Sequence, residues 1–146
     1  MTLQVTSTVI LRTLMGAGKK HDPSRSYGEE ILELLNSLWE VVRARGIQTK
    51  GINHVVYGAD GEIFAGVEPL DQIPSGLGLE KKDLRIGRHA YWKHVGPYHL
   101  LSGLQEEIIR SLRQQRLRSG YPIVEIYDHW TEDESKLETE IIYPLV

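Results

Sequence analysis

The chain has no cysteine among its 146 residues, one phenylalanine and two methionines. Without a thiol there is no disulfide, no thiolate-bound zinc and no cysteine nucleophile. Long apolar runs are missing too, since no stretch approaches the roughly 20 apolar residues that span a bilayer. The opening MTLQVTSTVILRTL lacks the basic start and apolar core of a signal peptide, so the expectation is a soluble, cytoplasmic protein with no membrane partner. Nor is there an excess of positive charge. Lys and Arg number 17 against 20 Asp and Glu, a formal charge of −3 with no broad electrostatic footprint for nucleic acid.

What is present is ordinary for a globular chain: 40% hydrophobic and 25% charged residues, expected to fold as one domain over 1–146. Residues 3–12, LQVTSTVILR, are β-branched and read as a strand, and MGAGKKHDPSRS after them reads as a loop. From Tyr27 to Arg45, Ile31, Leu34, Leu35, Leu38, Val41 and Val42 recur every three or four positions. That spacing predicts an amphipathic helix, closed by Gly46. Strands are expected at 52–57 and 62–67 around the hairpin sequence Gly58-Ala59-Asp60-Gly61. After the connector PLDQIPSGLG the order returns: a strand over 84–95, a turn at Gly96-Pro97, a helix over 98–118 closed by Gly120, and strands at 123–127 and 137–143. The chain therefore reads as β-α-β-β twice, over about 1–70 and 80–146, with Pro-Leu ending both units. The expected class is α+β, with two pseudo-symmetric units sharing one core and a cleft between them.

Glu125 carries the most information. In Ile123-Val124-Glu125-Ile126-Tyr127 the strand period places Ile123, Glu125 and Tyr127 on one face and Val124 and Ile126 on the other, both apolar enough to be buried. A buried carboxylate either stays neutral or finds a positive partner. That partner is a ligand or an internal lysine or arginine; otherwise the strand is an edge and the carboxylate faces water. The aromatic residues are mostly Trp and Tyr, whose ring faces attract cations. A carboxylate among such rings favours flat, apolar, positively charged molecules, with Trp39, Tyr57, Trp92, Tyr98 and Tyr127 as candidate walls beside Glu125. For any single ring, core filling is the blander reading, and Trp130 falls in an expected loop.

Other signals fail. Gly16-Ala17-Gly18-Lys19-Lys20 lacks the spacing and the Ser/Thr of a phosphate loop. His89, His94 and His99 recur every five residues, which reverses strand faces, so no metal site is expected. Arg110, Arg113, Arg116 and Arg118 suit a solvated helix C-terminus. No nucleophile–His–acid triad is visible.

The second unit resembles the GyrI-like small-molecule-binding domain, also called the AraC-type effector-binding domain. The residues carrying this are Gly87-Arg88-His89-Ala90-Tyr91, His94-Val95-Gly96-Pro97-Tyr98, Val124-Glu125-Ile126-Tyr127 and the ending Glu140-Ile141-Ile142-Tyr143-Pro144-Leu145. Trp39 and the hairpin from Gly51 to Gly66 extend the resemblance over the first unit. It implies one curved antiparallel sheet flanked by two helices. It also implies a pocket for lipophilic cations built on a buried Glu, which here is Glu125, with Tyr127 from the same motif. The pattern departs at Asp128-His129-Trp130-Thr131, where the family commonly turns at a proline, so the pocket rim should differ.

The expectation is a stand-alone binding module for hydrophobic cations, without cofactor or metal. No direct DNA binding is expected, because the domain starts near residue 3 with no DNA-binding segment ahead of it. An alternative is a hydrolase of the same fold acting on strained, cyclopropane-bearing molecules, with Glu125 activating water. A third reading is an inhibitor-like module with a protein partner.

Overall fold

The periodic stripe at 27–45 forms α1 (Tyr27–Arg45) in the computed structural model, which describes residues 3–146. Ser26 caps it, its hydroxyl accepting from the Glu29 amide at 3.2 Å, and Glu29 and Glu30 occupy the positively polarised first turn. Gly46 ends it at φ 60°, a left-handed conformation that glycine adopts without a side-chain clash. The second helix is shorter than expected. A 3-10 turn at Tyr98–Leu100 leads into α2 (Leu101–Gln114), which ends before Gly120, and Arg116 takes the left-handed position at φ 57°. Gly120 instead donates its amide to the Pro144 carbonyl at 2.7 Å.

Eight strands form one antiparallel sheet: β1 (Gln4–Thr6), β2 (Ile10–Lys20), β3 (Asn53–Tyr57), β4 (Glu62–Val67), β5 (Glu80–Ile86), β6 (His89–Val95), β7 (Ile123–Tyr127) and β8 (Glu138–Pro144). The spatial order is β1-β6-β8-β7-β3-β4-β2-β5. β3 and β7 are thus the central pair. Reading outward gives β4, β2, β5 on one side and β8, β6, β1 on the other. The class is the expected α+β, with β2-α1-β3-β4 and β6-α2-β7-β8 in the same order along the chain.

Three expectations are corrected. The single strand over 3–12 is two strands, and the single strand over 84–95 breaks at Gly87-Arg88 into β5 and β6. Each short leading strand leaves its own unit: β1 pairs with β6 and β5 pairs with β2. The third concerns Met15 to Lys20, which continue β2 instead of forming a loop. Gly16 lies opposite Gly66, and a Cβ at Gly16 would fall 1.9 Å from the Ala65 carbonyl oxygen. There glycine permits two backbones to approach closely, which is its other use in a strand.

Both helices lie on the face carrying Asn53, Val55, Tyr57 and Glu125: Trp39 of α1 bonds Asn53, and Gln105 of α2 bonds Glu125. α1 covers Met15 and Val67 with Leu38 and Val42, while α2 covers Ala90, Ile141 and Tyr143 with Leu101, Ile108 and Leu112. The opposite face has no helix, yet Leu14, Val56, Phe64, Leu84, Val124 and Ile142 on it are at most 6% exposed. Only a sheet curled over its own apolar face can bury them so well.

One polar device anchors α1. The Glu30 carboxylate is enclosed by the Lys19 ammonium, the His21 ring and the Asp22 amide. Lys19 is the main cause holding its carboxyl below the ordinary 4.5, with His21 and the amide adding to it.

Two predictions follow from this packing. Gly16→Ala should destabilise the fold by about 3 kcal/mol, the upper range for overpacking, because only backbone can yield; urea titration measures it. Glu30→Gln should lower the melting temperature by several degrees at neutral pH. A depressed carboxyl gives its full stabilisation above the unfolded value and loses it as pH falls through the folded one. The gap between the melting curves of Glu30→Gln and wild type should therefore begin to narrow only as pH falls below 4.5, the ordinary value, and go on narrowing through the depressed folded one.

Candidate functional site

The central strand pair and the two helices enclose a cavity of about 590 Å³. β3 contributes Tyr57, β7 contributes Ile123, Glu125 and Tyr127, and α2 contributes Leu101, Gln105 and Ile109. These side chains converge because alternation in paired strands puts residues 123, 125 and 127 on the face of 53, 55 and 57. β7 is an interior strand, so Glu125 is 2% exposed and does not meet water at an edge.

Its carboxylate accepts three hydrogen bonds. Tyr57 and Tyr127 donate their hydroxyls to Oε1 at 2.5 and 3.2 Å, and the Gln105 amide donates to Oε2 at 3.0 Å. All three donors are neutral, and no lysine, arginine or histidine lines the cavity. Burial raises the Glu125 pKa, and the three donors offset only part of that rise. Burial, ahead of the neighbouring carboxylate, likewise pushes the Tyr57 and Tyr127 hydroxyls up, and Tyr143 up to about 12. At neutral pH these phenols are donors. A carboxylate has about four acceptor sites, so Glu125 retains one for something else.

Six of the seven tyrosines line this cavity: Tyr27, Tyr57, Tyr98, Tyr121, Tyr127 and Tyr143. Tyr98 and Tyr127 meet edge to face at 5.3 Å, and Tyr27 and Tyr57 at 5.9 Å. Tyr27 is held from behind by the His21 ring, stacked at 3.7 Å. The walls therefore present ring faces and edges around the buried Glu125 carboxylate, with Glu62 also in the lining, a chemistry suited to a desolvated cation.

Of the residues singled out in the sequence, Glu125, Tyr57, Tyr98 and Tyr127 come together here. Trp39 and Trp92 do not. Trp39 is half-buried beside Leu38 and Val42, its indole N–H bonded to Asn53 Oδ1 at 2.8 Å. Trp92 packs on the α2 side of the core, two strands from Glu125. Sequence reasoning missed Gln105, Tyr143, Tyr27 and Tyr121. Gln105 had a signal, being a polar residue four after Leu101 and three before Ile108 on the buried stripe. Tyr143 had one too, since it alternates with Ile141, the register partner of Glu125. Tyr27 and Tyr121 had none.

A larger hollow of about 810 Å³ lies over β2 and β5. Its Glu68 is met by Arg12 from the lining and by Lys50 from outside it, at 2.8 and 3.1 Å, and Thr13 donates to Asp83 at 2.8 Å. It holds no counterpart of Glu125. Among the described residues, no three His, Asp or Glu side chains gather as metal ligands, and no helix is long and apolar enough to cross a membrane.

No protein-family model matches the sequence, and no curated protein does. Solved structures do match. The C-terminal domain of EcmrR superposes with a TM-score of 0.78 at 14% identity, covering 100% of this chain and 99% of that one. The structure of SAV2435 bound to tetraphenylphosphonium gives 0.66 at 14% identity, covering 100% and 94%. A hydrolase from Listeria innocua gives 0.57 at 12% identity, covering 99% and 91%. Identities this low establish the fold alone, which this chain shares with these three structures.

Proposed function

We propose that this protein binds hydrophobic cations of drug-like size, with the charge at Glu125 and the apolar groups against the tyrosine walls. The observation that carries this reading is a buried carboxylate with three neutral donors and, among the described residues, no lysine, arginine or histidine lining its cavity. Such a charge is electrostatically incomplete, and an incoming cation completes it in a medium where the attraction is poorly screened. The neighbour SAV2435, solved with tetraphenylphosphonium, has the same fold and supports the ligand class. The ligand acts by occupying the cleft between the helices, where it would touch α2 through Gln105 and α1 through Tyr27 and Ile31.

A second reading is hydrolysis. The hydrolase among the neighbours favours it, as does a carboxyl whose raised pKa brings it nearer the range useful for general acid–base work. In that case Glu125 would take a proton from water attacking an electrophilic ligand. Glu125→Gln then abolishes turnover and leaves substrate binding nearly intact.

For the binding reading, Glu125→Gln should weaken tetraphenylphosphonium by about a hundredfold or more, since removing one partner of a desolvated pair costs about 3–5 kcal/mol. The amide can still accept from both tyrosines, and Gln105 can turn its own carbonyl toward it, so the fold survives. Calorimetric titration reads the affinity; an unchanged Kd would assign Glu125 a structural role only.

Stability should move the other way. A carboxyl raised in the folded state stabilises at low pH and loses that contribution as pH rises through the folded pKa. Ligand-free Glu125→Gln should therefore melt above wild type at pH 8, and the gap should close toward pH 4. For the same reason, cation binding by wild type should weaken on acidification. Scanning calorimetry and titrations across pH check both signs.

A further inference from the structure

The Glu125 cavity continues past its own wall. A second hollow of about 470 Å³ adjoins it and shares Gly28, Ile31, Tyr98 and Tyr127 with it. The Tyr98–Tyr127 pair borders both. Beyond the pair lie Leu32 and Leu35 of α1 and, facing them, Trp130 from the segment after β7. Trp130 is 71% exposed and Leu32 is 58% exposed, two large apolar side chains held open to water at one mouth. Asn53 and Asp128 also line the hollow, and Asn53 Oδ1 is already engaged by Trp39.

The charge pattern joins the two hollows. Glu62, Glu125 and Asp128 line them, and no lysine, arginine or histidine lines either. The binding function proposed above uses only the first.

We propose that the second hollow holds an aromatic arm of the same ligand, packed between Trp130 and Leu32, so that the preferred ligands are elongated: a hydrophobic cation at Glu125 joined to a flat apolar group. This rests on the binding reading. The physical reason is continuity. With four wall residues in common, one molecule can span both spaces, and its arm removes the exposed indole and isobutyl groups from water. A flat ring also suits the indole face, which offers large contact area with only two side-chain torsions to fix. Trp130 is thus a specificity-determining residue that leaves the cation's own contacts untouched.

The test compares two phosphonium probes by calorimetric titration of the full chain. One is tetraphenylphosphonium; the other carries a triphenylphosphonium head on a six-carbon chain ending in a naphthyl ring. Wild type should bind the long probe about tenfold more tightly or better. Trp130→Ala, and separately Leu32→Ser, should remove most of that advantage while changing tetraphenylphosphonium less than twofold. Both positions are exposed, so the fold is expected to tolerate either change. Equal affinities in wild type, an advantage that survives both substitutions, or equal weakening of both probes would overturn the proposal. If neither probe binds wild type, the binding reading itself fails and this inference with it. Binding of tetraphenylphosphonium without any gain from the arm removes this inference alone.

Discussion

The antiparallel pairing of β3 with β7 is the contact on which the rest of the molecule depends. It joins the two halves of the sheet, and it sets which side chains face the cleft between the helices. Its register puts Val55 opposite Glu125 and Tyr57 opposite Ile123. A slip of one residue would turn Glu125 toward the curled face, among Val56 and Phe64 and away from Tyr57 and Gln105, which hold it now. The same slip would carry Tyr127 away from Tyr98. Register is protected because both faces of these strands are apolar and buried, so misalignment exposes as much as it misplaces.

Two buried carboxylates show opposite solutions to one problem. Glu30 is met by Lys19, His21 and a backbone amide, and its pKa falls. Glu125 is met by two phenols and an amide, and its pKa rises. The first arrangement is closed: charge is neutralised within the protein and the helix start is fixed. The second is open, because neutral donors orient a carboxylate without cancelling it. The stability needed to carry that open charge comes from the apolar layers on both faces of the sheet.

The sequence was legible where one physical rule dominates. The stripe of α1, its glycine stop and the hairpin at 58–61 are local patterns, and each appears where the pattern lies. Glu125 stood out because a lone carboxylate between β-branched neighbours contradicts its surroundings. The glycines at 16 and 18 misled, since the same residue serves both loops and close backbone crossings, and only the partner strand distinguishes them. The exchange of β1 and β5 between units left no local trace, because pairing partners far apart in sequence are chosen by the assembled sheet. Tyr27 and Tyr121 were illegible for a related reason. They reach the cavity by where their backbones end up, and nothing in their immediate neighbours marks that destination.

That exchange bears on how the molecule comes into being. Of the eight strands β1 comes first along the chain, yet its partner β6 lies in the second half, and β6 is itself flanked by β8, the last of the eight. The second half cannot complete its edge without the start of the chain, nor the first half its own edge without β5. Contacts so distant in sequence are slow to form, and neither half has a finished sheet to rest in meanwhile. The first of these eight strands is therefore among the last to find its place.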